Sequence, residues 1–277
     1  MPPRITRTHH HSSTPSARKT KGFYAMNERE SLDEFFRKAD RSAAFAAYCT
    51  DAFGINIAQD GLADKRQIDY LLNYVHFNGN DSGLQIGSGN GKVAAYVAEQ
   101  TGARMTGVER SEEAVANARR NGNGRTNFIV QGLDALTVPA NEYSAMLLMD
   151  SLPQGGGAAE TLEYLYGRLM PGGRIGVFFT EYVRDPRHQK RKLEIGETKI
   201  ARAIRLNGWN AKAVDFCDQL YDLVKRKSEA NERYKKLLEQ EGNEILYETV
   251  RKSLPPSELG KKDFEKQANR YLYCIYK

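Results

Sequence analysis

Five short apolar runs, Leu84–Ile86, Met105–Val108, Phe128–Val130, Ala145–Met149 and Ile175–Phe179, punctuate the middle of this chain. Between them lie Lys92–Thr101 (Val93, Tyr96, Val97), Glu112–Asn121 (Val115, Ala118) and Thr161–Met170 (Leu162, Leu165, Leu169), with apolar residues at three- and four-residue spacing. Short strands buried on both faces, alternating with helices of this length, predict right-handed βαβ units and a parallel sheet coated on both sides. A helix over Leu193–Asn207 leads to a sixth strand near Ala211–Phe216, and the last eight residues, Arg270–Lys277, alternate as a closing strand does. The expectation is a doubly wound α/β fold with a mostly parallel, seven-stranded sheet.

Helical patterns flank this core. From Asn27 to Val75, Leu32, Phe35, Phe36, Ala39, Ala43 and Ala47 recur on one face, and Asp64 can cap a second helix carrying Ile68, Leu71, Leu72 and Val75. Before the closing strand, a highly charged segment carries a narrow stripe of Leu220, Leu223, Val224, Leu237 and Leu238, which predicts amphipathic helices resting on the domain. Its charges, Lys225–Lys236, read as a solvated face. The chain divides into a disordered basic tail (1–22) and one domain (23–277). That domain comprises an N-terminal helical cap (23–80), a core (81–218), a helical insertion (219–269) and the closing strand (270–277). Cap and insertion together are expected to form a lid.

Charge narrows the partners. Lys and Arg exceed Asp and Glu by six, but the first 22 residues hold five cations and no acid, leaving about +1 for the rest. A near-neutral body lacks the basic footprint that grips a phosphate backbone, so nucleic acid is not an expected partner. No apolar run approaches the ~20 residues of a membrane span. Cys49, Cys217 and Cys274 are scattered with no Cys/His cluster, which argues against a disulfide framework or a metal site and for a reducing compartment. The Arg- and Ser-rich tail reads either as an organelle-targeting peptide or as an upstream extension with Met26 as the start; without targeting, the expectation is cytoplasmic, as monomer or homodimer.

The most informative segment is Leu84-Gln-Ile-Gly-Ser-Gly-Asn-Gly-Lys92, where a buried strand runs through three alternate glycines into a helix. Such a bend lets a ligand lie against backbone N–H groups at a helix N-terminus. A dinucleotide fingerprint wants glycine at the sixth position, where this chain has Lys92, and no Walker loop occurs. The next strand ends in Glu109, 18 residues after Gly91, in position to accept hydrogen bonds from two ribose hydroxyls. Bend and acid together point to a ribose-containing ligand without a pyrophosphate.

At these residues the chain resembles the class I S-adenosylmethionine-dependent methyltransferases, in particular bacterial small-molecule members. Leu84–Val115 resembles their first two motifs, Leu133-Asp134 their adenine-contacting position, Tyr143–Leu152 their fourth motif, and Leu169–Ile175 the turn before their fifth strand. Tyr48–Gly54 and Arg270–Tyr273 extend the likeness weakly to the ends. The resemblance implies S-adenosylmethionine as cofactor, with Gly87, Ser88, Gly89 and Gly91 shaping the pocket for its methionine part. It likewise implies Glu109 at the ribose, Leu133 and Asp134 at the adenine, and Asp150 and Ser151 beside the reactive methyl, with the adjoining Arg110 also counted among the cofactor-binding residues. Asp134 also reads as a simple turn former, and Asp150-Ser151 as a cap. Where the family usually has an acid this chain has Gln85, which can still accept a hydrogen bond from the methionine ammonium but loses a charge-assisted share of ~1 kcal/mol.

The activity so implied is methyl transfer by in-line displacement, in which alignment alone supplies ~7–11 kcal/mol and no metal is required. If the acceptor atom carries a proton, the candidate bases near the pocket mouth are Tyr48, Glu181, Tyr182 and His188. Asp150-Ser151-Leu152-Pro153 lacks the D/N-P-P-aromatic signature of base and amide methyltransferases, which favours O, N or C of a small metabolite. A non-catalytic cofactor-binding regulator, a nicotinamide oxidoreductase and an RNA methyltransferase using the basic tail are the rivals.

Overall fold

The computed structural model describes residues 18–153, 157–183, 189–255 and 257–277, with side chains from residue 30 onward. Seven strands, β1 (Ser82–Ile86), β2 (Arg104–Glu109), β3 (Thr126–Val130), β4 (Ala145–Met149), β5 (Arg174–Tyr182), β6 (Asn210–Asp215) and β7 (Ala268–Tyr276), form one sheet in the order β3-β2-β1-β4-β5-β7-β6. The first five run parallel, while β7 is antiparallel to both β5 and β6. The chain winds outward from β1 in one direction and then returns to add β4 on its other side. That reversal opens a crevice at the carboxyl ends of β1 and β4, where ligands of open α/β sheets bind.

Side-chain alternation splits the interior into two cores. Ala145, Leu147, Phe178, Leu272 and Cys274 face one side of the sheet, and Met146, Leu148, Val177, Phe179, Tyr271 and Tyr273 face the other. The first side is covered by α1 (Arg18–Arg41), α2 (Ala43–Phe53), α3 (Lys65–Tyr74), α4 (Lys92–Thr101) and α5 (Glu112–Asn121), joined by α8 (Cys217–Gln240) and α9 (Glu244–Ser253). The second is covered by α6 (Ala158–Arg168) and α7 (Lys199–Leu206); a four-residue α10 (Lys261–Phe264) precedes β7.

Local chemistry sets several boundaries. Asp64 caps α3 as expected, accepting from Gln67 N at 2.9 Å, and Ser42 and Ser111 do the same for α2 and α5. The helix expected over Leu193–Asn207 is instead a 3-10 turn at Ile195–Glu197 followed by α7. Thr198 separates them because its hydroxyl caps Ala201 N at 3.1 Å. Helix α1 begins at Arg18, inside the basic segment, and residues 1–17 lie outside the described residues.

The turn between α2 and α3 roofs the crevice, and the insertion clamps it from outside. Arg226 of α8 donates to Ala52 O (2.8 Å) and Asp64 Oδ2 (2.6 Å). Lys227 Nζ lies 2.7 Å from Asp60 Oδ1, donates to Gly61 O and sits over the Phe53 ring. Lys227 is therefore fully buried, and the charged face expected over Lys225–Lys236 is not wholly solvated; Leu237 is exposed instead. Burial of an ammonium is tolerable there because a carboxylate and a carbonyl replace its water.

Candidate functional site

After Ile86 the chain turns through Gly87, Gly89 and Gly91, all with positive φ (73°, 52° and 75°), into α4. Gly87 N and Ser88 N both donate to Val108 O, at 2.8 and 3.1 Å, which locks the bend against β2. The glycines serve different ends. A Cβ on Gly91 would lie 2.6 Å from Ala118 Cβ and 2.7 Å from Phe128 Cζ, so this one lets the start of α4 approach α5 and β3. A Cβ on Gly89 would lie 1.9 Å from Gln59 Oε1, which brings the roof turn directly onto the bend. Gly87 abuts Ser151 at the end of β4, with 2.9 Å from its Cβ position to Ser151 Cβ.

Glu109 ends β2 and is buried. Its Oε1 accepts from Arg110 N (2.8 Å) and Ser111 N (3.1 Å), and its Oε2 accepts from Gly89 N (3.2 Å). Three backbone donors thus aim the carboxylate at the bend, with lone pairs to spare on a group that offers about four. Arg110 is exposed beside it. Across the end of β3, Leu133 and Asp134 form a 3-10 turn, Leu133 half-buried and Asp134 exposed, with Asp134 Oδ1 folded back toward Gly132 and Arg110 Cβ nearby. The carboxyl ends of β1, β2 and β3 therefore bring the expected pocket, ribose and adenine residues to one edge of the sheet.

The roof is tied to the same edge. Asn90 Nδ2 donates to Ala58 O (2.7 Å), and Asn117 Nδ2 donates to Asn90 Oδ1 (2.9 Å) and Phe36 O (3.0 Å), joining α1, the roof turn, the bend and α5. Around the crevice, Gln85 Oε1, Ser88 Oγ, Ser151 Oγ, Gln59 Oε1, Tyr48 OH and Asp150 Oδ2 are buried without a protein partner. Buried polar groups are rarely left this way. Gln85 and Ser88 flank Gly87 in the chain, while Ser151 and Gln59 meet the bend at Gly87 and Gly89, and that donor and acceptor set fits a polar ligand such as S-adenosylmethionine.

The candidate bases part company. Tyr48 is fully buried, and burial, then the nearby Asp60 and Cys49, hold its phenol well above the ordinary value, so near neutral pH it is a hydrogen-bond donor. Tyr182 keeps 39% of its surface exposed, yet local desolvation, with Asp150 adding, pushes its phenol up to about 12. Glu181 is engaged elsewhere: it accepts from Lys199 N at 2.8 Å at the start of α7, on the sheet face opposite Tyr182. His188 lies outside the described residues.

Asp150 holds the left-handed region (φ 56°) at the end of β4, and its Oδ1 is taken by Arg270 Nη1 (2.5 Å) and Thr180 Oγ1 (3.2 Å). Arg270 and Gln59 were not among the expected site residues. The signal for Arg270 was a cation at the head of a largely apolar closing strand; for Gln59, an unremarkable turn residue, the sequence carried none.

Residues 84–173, about a third of the chain, match a family model described as a methyltransferase domain. No curated protein sequence matches significantly. Among solved structures, the chain is similar to the cyclopropane synthase MmaA2 from Mycobacterium tuberculosis (TM-score 0.67, 14% identity, covering 90% of this chain and 98% of that one). It is also similar to phosphoethanolamine N-methyltransferase 2 from Haemonchus contortus, solved with phosphomonomethylethanolamine and S-adenosylhomocysteine (TM-score 0.65, 14% identity, 89% and 60%). A third likeness is to the [4+2]-cyclase SpnF (TM-score 0.59, 18% identity, 79% and 84%). The chain thus spans 60% of the length of the Haemonchus enzyme. At these identities the likeness is one of fold.

Proposed function

We propose that this chain, which has the class I methyltransferase fold and a methyltransferase-domain segment at residues 84–173, transfers the methyl group of S-adenosylmethionine to O, N or C of a small molecule. The single observation that carries the reading is the Glu109 carboxylate, held by three backbone N–H groups against the Gly87–Gly91 bend. Glu109 and Arg110 would hold the ribose, Leu133 and Asp134 the adenine, and Gln85, Gly87, Ser88 and Gly89 the methionine part. Gly91 acts through close packing of α4. When bound, the cofactor supplies a methyl group already activated on a sulfonium.

The protein's own work is alignment and exclusion of water. Asp150 and Ser151 stand where β4 meets the bend, and Tyr48 and Tyr182, both protonated near neutral pH, serve as donors that orient an acceptor rather than as bases. The roof turn and its clamp on α8 cover the crevice, which supports a small acceptor, as does the near-neutral body. Among the described residues no helix is long and apolar enough to cross a membrane. We infer a cytoplasmic setting, or an organelle if the basic segment is a leader, and a monomer or homodimer.

Calorimetric titration with S-adenosylhomocysteine and S-adenosylmethionine tests the reading: saturable heat with both is expected, and none with either at high protein concentration overturns it. A second reading, a cofactor-binding protein without methyl transfer, is favoured by Gln85 in place of an acid and by the occurrence of this fold in a [4+2]-cyclase. Label transfer from methyl-labelled cofactor to any member of a metabolite panel separates the two.

A further inference from the structure

Arg270 lies near the start of β7 and has no exposed surface. Its Nε donates to Gln67 Oε1 of α3 at 3.0 Å, and its Nη1 donates to Asp150 Oδ1 at 2.5 Å and Thr180 Oγ1 at 2.8 Å. Its plane lies over Phe178, 4.6 Å from the ring centroid. Neighbours on the same face of β7 are Leu272 and Cys274, so an apolar side chain at 270 would pack without the desolvation cost of a buried cation. Its charge is matched by Asp150, which is 120 residues away in sequence, two strands across the sheet, and held in the left-handed region.

The grip is one-sided. Arg270 and Thr180 take Oδ1 of Asp150, whereas Oδ2 is left without a protein partner. A purely structural Arg–Asp pair would gain from bidentate contact, and Arg270 Nη2 is also unpartnered, yet the two groups do not meet in that way. Asp150 precedes Ser151, which rests against Gly87 of the bend, and its charge helps raise the Tyr182 phenol, so the carboxylate adjoins the crevice edge where the reactive sulfur of the cofactor is expected.

We propose that Arg270 is a positioning residue of the methyl-transfer site: it fixes the Asp150 carboxylate by one oxygen, presents the other to the reacting centre, and neutralises the pair there. This rests on the methyltransferase reading above. The pair then determines how the site treats the positive charge that distinguishes S-adenosylmethionine from S-adenosylhomocysteine, two ligands otherwise sharing adenine, ribose and amino acid.

The experiment is the ratio of Kd for S-adenosylmethionine to Kd for S-adenosylhomocysteine, by calorimetry on the full chain, with thermal unfolding confirming that each variant is folded. Asp150→Asn leaves Arg270 uncompensated beside the sulfonium, so the ratio is expected to rise about three- to tenfold. Arg270→Met leaves the carboxylate uncompensated, so the ratio is expected to fall by a similar factor. The double variant returns it to within twofold of wild type, and Arg270→Lys, which keeps the charge, does the same. If Arg270→Met does not fold, Asp150→Asn and Arg270→Lys decide the matter. A merely structural pair would weaken both ligands alike. A ratio unmoved by Asp150→Asn, in a wild type that binds both ligands, overturns this inference alone; a wild type that binds neither overturns the methyltransferase reading and the inference together.

Discussion

Replacing Glu109 by alanine removes the acceptor that three backbone N–H groups and, in the proposed complex, two ribose hydroxyls share. A hydrogen bond to a charged group contributes about 1.5–3 kcal/mol, so losing two costs up to ~6. Water entering the space left by the side chain restores part of this, and a net loss of about 2–4 kcal/mol is expected, roughly 30- to 1000-fold in Kd. The fold also suffers. Gly89, Arg110 and Ser111 lose the acceptor that satisfied them beside a buried residue, at about 1–3 kcal/mol of stability. The assay is calorimetry with S-adenosylhomocysteine and, in parallel, with 5′-methylthioadenosine, which has the ribose but not the amino acid. Both should weaken by the same factor, and Glu109→Gln, which keeps an oxygen without its charge, should lie between alanine and wild type. A folded Glu109→Ala protein whose affinity falls less than threefold, or falls for S-adenosylhomocysteine only, refutes the assignment of the carboxylate to the sugar.

Two further expectations concern stability. Gly91→Ala combines a positive φ with a Cβ 2.6 Å from Ala118 Cβ, and should cost about 2–4 kcal/mol by denaturant unfolding, whereas Gly61→Ala, with open space around it, should lie within about 0.5. Asp81 joins the start of β1 to β5: Arg174 donates to both its oxygens (2.7 and 2.6 Å), with Ser144 Oγ and Asn78 N adding. Burial pushes its carboxyl up, but these bonds outweigh it and hold it below the ordinary range. Its stabilisation is therefore present above the unfolded value of about 4 and lost as pH falls through the lower folded value. Asp81→Asn should lose about 3–5 kcal/mol at pH 7. The gap to wild type should begin to narrow below about pH 4 and close beneath the lower folded value; a gap that stays constant across that range contradicts the assignment.

The parts legible in the sequence are those governed by neighbours along the chain. Lys92–Thr101 and Glu112–Asn121 form helices over the expected residues because their apolar stripes and flanking glycines or serine act within one or two turns. The three-glycine bend is likewise local: only glycine supports successive positive φ values at that spacing. Even so, the reason for one glycine was hidden. Gly91 answers to Ala118 and Phe128, which the sheet brings up from other elements.

The α/β class, the strand-to-helix rhythm, the cap at Asp64 and the edge at which Glu109 meets the bend are written along the chain, since each depends on short-range periodicity or on the rule that parallel strands end together. Only in the packed molecule does β7 insert antiparallel between β5 and β6, Glu181 turn to α7, Lys227 pass under the roof to Asp60, and Arg270 reach Asp150. The first rests on backbone pairing between distant strands, and the other three on which buried charges find partners across the packed layers. The cost of an unpaired charge is a property of the assembled interior, with no counterpart in the pattern along the chain.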